Sequence, residues 1–411
     1  MKIASDGQMK YCRWGSTEDP TPVIGATHPL TFFHENMAPI RQAMLDGQPL
    51  PGCNDCYEME KYGKISGRQK QLLKTGITVT DFAKSCASSP FASEFEKSLK
   101  QDQLNLAPLD WQIDLGNHCN SACVFCRPES SSRLASEFYR IGFIDKLPVL
   151  NWTEDQERID MLTDLLSRTS GLAYLHFIGG ETLITPGFKK ILQTLAKQDF
   201  RDNITLGFTT NLTVWDEEIN QLLCEFKQIN LGMSIESMTR VNDYVRYPSD
   251  IQSVTETMRR WIELSRMQGW IPTIRTTPTA LTAGGLLDIY KFASAAQVGI
   301  ESCNFLDNPR VLKMSVLPLD IRKGISEQLK NWMKNLKLEE VAIINTRDPN
   351  QVTQTILQDA LSYIRYLENS SDETHLLPDL IRYLKKLDQS RGNCVLDYLP
   401  EYEELFRSAG Y

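Results

Sequence analysis

Residues 111–132 read WQIDLGNHCNSACVFCRPESSS, and this stretch decides the fold. Trp111 to Asn117 have the apolar, β-prone character of a strand that runs out into glycine and asparagine. Cys119, Cys123 and Cys126 follow in one turn-rich loop, with three residues between the first pair and two between the second. Three thiols so close are a donor set for a metal or cluster. A structural zinc site or a ferredoxin-type cluster takes four protein ligands, and no fourth cysteine stands nearby. His118 is the one alternative donor, but its adjacency to Cys119 makes a convergent tetrahedral site awkward.

Downstream, strand signals alternate with helix signals. The strands are expected at Trp111–Asn117, Tyr174–Gly180, Asn203–Asn211, Ile229–Ser237, Pro272–Ala280 and Ser302–Pro309. Between them lie amphipathic segments such as PGFKKILQTLAKQ, WDEEINQLLCEF, QSVTETMRRWIELSRMQG and LLDIYKFASAAQVG, each long enough for a crossover helix. The alternation predicts an α/β fold, a parallel sheet curled as a partial (β/α)6 TIM-like barrel, with an open doubly wound sheet as the alternative. Either way, chemistry belongs at the carboxyl ends of the strands, where the three cysteines lie. Upstream, Glu94–Gln103 is helix-prone and polar, and from PLDIRKGISEQLKNWMKNL onward the chain reads as helices.

The bulk properties are those of a globular protein with two or three domains: 411 residues, 41% hydrophobic and 23% charged. A net charge of -8 leaves no broad basic footprint, so nucleic acid is not favoured as a partner, and RQKQLLK reads as a solvated helix face. No run approaches the roughly 18 apolar residues that span a bilayer, and the N-terminus lacks a signal-peptide core, so no membrane association and a cytoplasmic location are expected. In a reducing compartment the ten cysteines suit metal or cluster chemistry better than disulfides. Cys224, within an apolar helical pattern, is expected to be buried and inert.

Three thiolates from one loop can hold three irons of a [4Fe–4S] cube and leave one iron open to a chelating amine and carboxylate. S-adenosylmethionine (SAM) has these groups, and in such chemistry the cofactor reacts while the protein supplies geometry and excludes water. The C-x3-C-x2-C loop after the first strand of a six-fold partial barrel resembles the radical S-adenosylmethionine enzymes, over about Trp111 to Pro309. The resemblance implies that Cys119, Cys123 and Cys126 bind a [4Fe–4S] cluster with SAM on the unique iron, and that Phe125 lies beside the adenine. GGET after the second strand is similar to the family's GGE motif, so Gly179, Gly180 and Glu181 would meet the methionyl amine. TTNLT is similar to the T-N-G segment, which brings in Asn211, with Leu212 in place of the glycine. Ser234 and Glu236 stand where family members contact the ribose or the methionyl carboxylate. Arg246 and Arg275 are further candidates for a carboxylate clamp. Each of these polar residues, and GGET itself, also has a plain structural reading as a turn or a satisfied polar group.

A second cysteine group, Cys12, Cys53 and Cys56, would serve zinc as well as iron on spacing alone. With Glu60, Gly63, Ser66 and Arg68, and with NPRVLKMSVLP after the sixth strand, it resembles the twitch/SPASM auxiliary-cluster modules in a subgroup that places the module before the barrel. The resemblance implies an auxiliary [4Fe–4S] cluster. Its fourth ligand is open among Cys86, His28, a substrate atom and a residue upstream of Asp6–Gly7. The expected division is 1–93, a cysteine-rich twitch-like module with a linker helix; 94–312, the radical SAM partial barrel; and 313–411, a helical region. The implied function is reductive cleavage of SAM to a 5′-deoxyadenosyl radical and hydrogen abstraction from a peptide, protein side chain or sugar-like alcohol, leading to oxidation or cross-linking. A low-potential flavodoxin- or ferredoxin-type donor is the implied partner, together with a peptide or small-molecule substrate. The competing classes are a non-catalytic iron–sulfur carrier or sensor and a zinc-stabilised binding module.

Overall fold

The computed structural model describes residues 1–12, 15, 21–61, 66, 68–69, 107–148, 150–302, 305–306, 308–335 and 356–411. Among them the strands form one sheet in the order β2-β1-β3-β4-β5-β6-β7-β8. The strands are β1 (Lys2–Ile3), β2 (Met9–Lys10), β3 (Asp110–Asp114), β4 (Tyr174–Ile178), β5 (Thr205–Thr210), β6 (Gln228–Ser234), β7 (Ile271–Thr276) and β8 (Gly299–Ser302). From β3 to β8 the pairing is parallel and spatial order follows chain order. A doubly wound sheet would reverse its order at a switch point. The sequential order therefore makes this the partial, TIM-like (β/α)6 barrel.

The crossovers are α1 (Ser132–Arg140) and α2 (Gln156–Arg168) after β3, then α3 (Pro186–Leu195), α4 (Glu217–Leu223), α5 (Ile251–Gln268) and α6 (Leu286–Ala295). Asp155, Asp216 and Asp250 cap α2, α4 and α5 by accepting first-turn amides, as short polar side chains do at this position. One face of the sheet, with Trp111, Ile113, Leu175, Phe177, Leu206 and Phe208, is wholly buried. Phe177, Phe188, Phe208 and Trp261 form a run of edge-on and tilted aromatic contacts between sheet and helices. The other face is polar and half-buried: Gln112 on β3, His176 on β4 and Asn230 on β6 lie at one level, with Asp114, Thr209 and Arg275 above them. A sheet buried on both faces reads as continuous apolar runs. Here the strands alternate because their concave side is open.

Two expectations need correction. The sixth barrel strand is Gly299–Ser302, not Ser302–Pro309. Helix α6 stops at Ala295 and Gln297 takes a left-handed φ of 48°, which frees the chain from Val298 to enter the sheet early. Cys224 is exposed, because α4 ends at Leu223 and the thiol falls on its C-cap beyond the apolar face. Arg68 is exposed, as a solvated face requires, and forms a two-pronged ion pair with Glu60, to which Ser66 also donates. The rest of RQKQLLK beyond Gln69, the Glu94–Gln103 helix and Cys86 lie outside the described residues.

Both edges of the barrel are occupied. On one side β1 pairs in parallel with β3, and Asp6–Gly7 turn the chain back into β2, Gly7 at φ 85° and the Asp6 carboxylate accepting from the Gln8 amide. On the other side α8 (Ile356–Asn369), which follows α7 (Leu319–Met333), packs near β8, with Tyr290 donating to Asp359 and Tyr363 to the Ala283 carbonyl. Covering edges in this way removes templates for stray strand pairing. Helix α9 (Leu377–Arg391) lies against the cysteine loop, as described next. No helix among the described residues is long and apolar enough to cross a membrane.

Candidate functional site

The loop leaving β3 is tied down almost residue by residue. The Ala122 and Val124 amides donate to the Tyr247 and Val245 carbonyls at 2.5 and 2.8 Å, so the loop runs beside the segment after β6 as a short ladder. Ser131, the N-cap of α1, accepts from the Leu134 amide and donates to the Ser121 carbonyl at 2.6 Å. The Cys119 amide donates to the Ser132 hydroxyl at 3.2 Å. From the far end of the chain, Tyr383 donates to the Val124 carbonyl at 2.6 Å and Arg391 to the Ala122 carbonyl at 2.7 Å.

This framework brings the three thiols together. Cys123 is buried and hydrogen-bonded to Cys126, while Cys119 and Cys126 are half-buried. In the bare loop Cys123 is held below the usual thiol range, first by that hydrogen bond and then by Arg246 and Arg391. The same bond, then burial, pushes Cys126 up, and burial followed by the neighbouring Cys123 pushes Cys119 up to about 12. Arg246, beside all three thiols, and Arg391, beside Cys123, suit an anionic group, which a cluster on three thiolates is. One nitrogen, Nη1 of Arg391, is buried with no acceptor among the described residues. The donor set and these cations fit an iron–sulfur cluster. Among the described residues, no three His, Cys, Asp or Glu side chains close around a single ion position, and His118 is exposed.

The other expected residues surround this loop. The Gly180 amide donates to the Gly116 carbonyl and the Glu181 amide to the His118 carbonyl, both at 2.9 Å. A Cβ on Gly180 would sit 2.2 Å from the His118 carbonyl oxygen, and Gly179, at φ 143°, would bring one 2.8 Å from that of Gly116. The glycines therefore admit the backbone of the cysteine loop itself. Glu181 is fully buried and accepts from the Leu183 and Asn211 amides at 3.1 and 2.6 Å. Asn211 donates to Asn120 and Ser121 within the cysteine loop. Leu212 takes φ 65°, the left-handed conformation that suits a glycine, and its side chain is wholly buried.

Glu236 and Arg246 pair with each other at 2.8 Å. Glu236 also accepts from the Thr276 hydroxyl and Thr277 amide, and burial pushes its carboxyl up to about 7 against the opposing pull of Arg246. Arg246 lies 5.8 Å over the Phe125 ring. Arg275 donates to Thr209 at 3.0 Å and stands in register with Ser234 at the end of β6. The clamp residues thus bind the protein's own groups. In the N-terminal group, Cys12 accepts from the Gly15 amide at 3.2 Å and points to the Gly52 carbonyl, while burial and then Cys12 push the Cys53 thiol up. Arg68 lies over the Tyr57 ring between these cysteines and Glu60. His28 is exposed, its Nδ1 accepting from the Leu30 amide, and Gly63 lies outside the described residues.

Sequence reasoning missed Glu137, Tyr383 and Arg391. Only the S-x-x-L cap at Ser131 carries a local signal. Arg391 is 254 residues from its partner Glu137, and no local pattern links them.

Residues 113–271 match the model of the Radical SAM superfamily. The comparison with curated proteins finds no match. Among solved structures, the chain is similar to Streptococcus suis SuiB bound to precursor peptide SuiA, with 14% identity, 69% of this chain and 59% of that chain covered, and a TM-score of 0.38. It is also similar to native anSMEcpe with bound AdoMet, with 17% identity, coverage of 56% and 63%, and a TM-score of 0.37. The methyltransferase TsrM from Kitasatospora setae with cobalamin and [4Fe–4S] cluster bound gives 16% identity, coverage of 46% and 32%, and a TM-score of 0.32. The chain thus spans less than two thirds of each of these three. Residues 113–271 carry a match to the Radical SAM superfamily that spans less than half of the chain.

Proposed function

We propose that this chain is a radical SAM enzyme whose three-cysteine loop holds the catalytic cluster and whose polar concave sheet face receives the substrate. The observation that carries the reading is the convergence of Cys119, Cys123 and Cys126 at the carboxyl end of β3, in a loop whose backbone is held from four directions. When bound, the cluster with SAM supplies a one-electron cleavage that yields a 5′-deoxyadenosyl radical able to remove hydrogen from carbon. The chain's own part is geometric. Asn211 and the Gly179–Glu181 turn fix the loop, Glu236 and Arg246 form a buried pair with Arg246 over Phe125, and Phe125 and Ser234 would contact the cofactor. Enclosure is needed because a primary carbon radical attacks almost any nearby hydrogen.

Gln112, His176, Asn230 and Thr209 on the concave face favour a substrate rich in hydrogen-bonding groups, either a peptide or a sugar-like alcohol. Oxidation or cross-linking is the reaction proposed. Cys12, Cys53 and Cys56, braced by the Glu60–Ser66–Arg68 network, would hold an auxiliary [4Fe–4S] cluster in a twitch-like module over 1–93, ahead of a barrel over 94–312 and a helical region over 313–411. A low-potential flavodoxin- or ferredoxin-type donor and a reducing, cytoplasmic setting complete the proposal. Anaerobic reconstitution followed by dithionite and SAM tests it: 5′-deoxyadenosine is expected from the intact protein and none from Cys123→Ala. A cluster without 5′-deoxyadenosine in the intact protein would mark a carrier instead, and zinc alone a binding module. The Cys119/Cys123/Cys126 triple alanine variant is expected to retain iron and sulfide at the N-terminal group, and loss of all iron there removes the auxiliary cluster.

A further inference from the structure

Arg391 closes α9 and reaches back across the fold to the cysteine loop. Its side chain is 1% exposed and paired with Glu137 of α1. Nε and Nη2 both donate to the Glu137 carboxylate, at 3.0 and 2.7 Å, so that edge of the planar fork is used. Nη2 donates a second bond, to the Ala122 carbonyl at 2.7 Å, from the end of the fork that it shares with Nη1. Planarity then leaves one Nη1–H running alongside the bond to Ala122, the residue before Cys123 in the loop. Tyr247 covers a face of the guanidinium at 4.7 Å. Nη1 is the one nitrogen of the group without an acceptor among the described residues. A buried donor left unmade is costly, so the arrangement implies an acceptor that arrives with a ligand.

We propose that Arg391 is a positioning residue whose Nη1 donates to anionic sulfur in the loaded site, the Cys123 thiolate or an adjoining sulfide, and so couples the C-terminal helix to the cluster's reduction potential. This rests on the reading of the three-cysteine loop as a cluster site. A fixed positive charge beside the cluster would favour its reduced form, which carries one more electron. Glu137 partly offsets that charge, so the two members of the pair act on the potential with opposite sign. A purely structural clasp has no such signature, because breaking it from either side loosens the same loop.

The test is a dithionite titration of the reconstituted protein followed by electron paramagnetic resonance, using the signal that changes when SAM is added to select the cluster in the three-cysteine loop. Arg391→Met is expected to shift the reduction equilibrium at least tenfold toward the oxidised cluster, about 59 mV for one electron. Glu137→Gln, which leaves the guanidinium uncompensated, is expected to shift it the other way, and Arg391→Lys to restore most of the wild-type potential. Unchanged potentials, or shifts of the same sign in Arg391→Met and Glu137→Gln, overturn the inference. If Arg391→Met does not fold, the sign of the Glu137→Gln shift decides alone, a rise supporting and anything else refuting. Absence of iron and sulfide from the wild-type loop would instead bring down the cluster reading, and this inference with it.

Discussion

Replacing Gly180 with alanine tests the contact between the second barrel strand and the cysteine loop. The added Cβ would lie 2.2 Å from the His118 carbonyl oxygen, 2.6 Å from its carbon and 2.9 Å from the Asn117 carbon. All three are backbone atoms, so no side-chain rotation relieves the clash. Relief requires the two loops to part, which stretches the Gly180–Gly116 and Glu181–His118 hydrogen bonds. Overpacking costs about 1–3 kcal/mol and each lost hydrogen bond about 1 kcal/mol, giving about 3–5 kcal/mol. For a chain of this length that corresponds to a fall in Tm of about 3–6 °C. Iron and sulfide content after anaerobic reconstitution should fall in parallel, because the loop that moves carries Cys119. Gly284→Ala, where a Cβ meets nothing within 4 Å, is the matched control and should leave both measurements unchanged. A Gly180→Ala protein that melts within about 2 °C of wild type and loads a full complement of iron would refute the reasoning.

Leu212 is wholly buried yet holds φ 65°, so its side chain stabilises the fold while its backbone conformation costs about 1–2 kcal/mol. Both Leu212→Ala and Leu212→Gly should lower thermal stability, with glycine the less harmful although it removes more atoms; the reverse order in melting experiments would contradict the strain. Burial holds the Asp114 carboxyl up at about 6 from an ordinary 3.8, with the Gly116 amide and Lys2 pulling it partly back. An acid raised in the folded state contributes stability that is complete below its unfolded value and lost as pH rises through its folded one. Denaturant midpoints should therefore decline between about pH 4 and 6, and more weakly in Asp114→Asn; equal slopes in the two proteins would show that Asp114 is not the group responsible.

The thiol loop and the strand before it were legible because both are local: a period-two strand, then three soft donors at fixed spacing. The strand and helix alternation was legible for the same reason, and its observed strands fall close to the expected ones except where α6 ends early at Gln297. Gly179 and Gly180 stood out as glycines that admit a close approach, while the carbonyls that approach them, those of Gly116 and His118, lie more than 60 residues away in the chain. Arg246 and Glu236 were each identified as polar candidates, but that they neutralise one another is a fact of two segments meeting after β6.

By itself the sequence determined the α/β class, the parallel winding and the cysteine loop, since these follow from short-range periodicity and spacing. The tertiary structure alone decided three things: β1 as an extra strand on the barrel edge, the open polar face of the sheet, and the clasp of Tyr383 and Arg391 on the loop. A hydrogen bond to a backbone carbonyl requires only that the carbonyl be there, whatever residue carries it. Such bonds leave no trace in the residue types at their acceptor end, and only the folded chain reveals them.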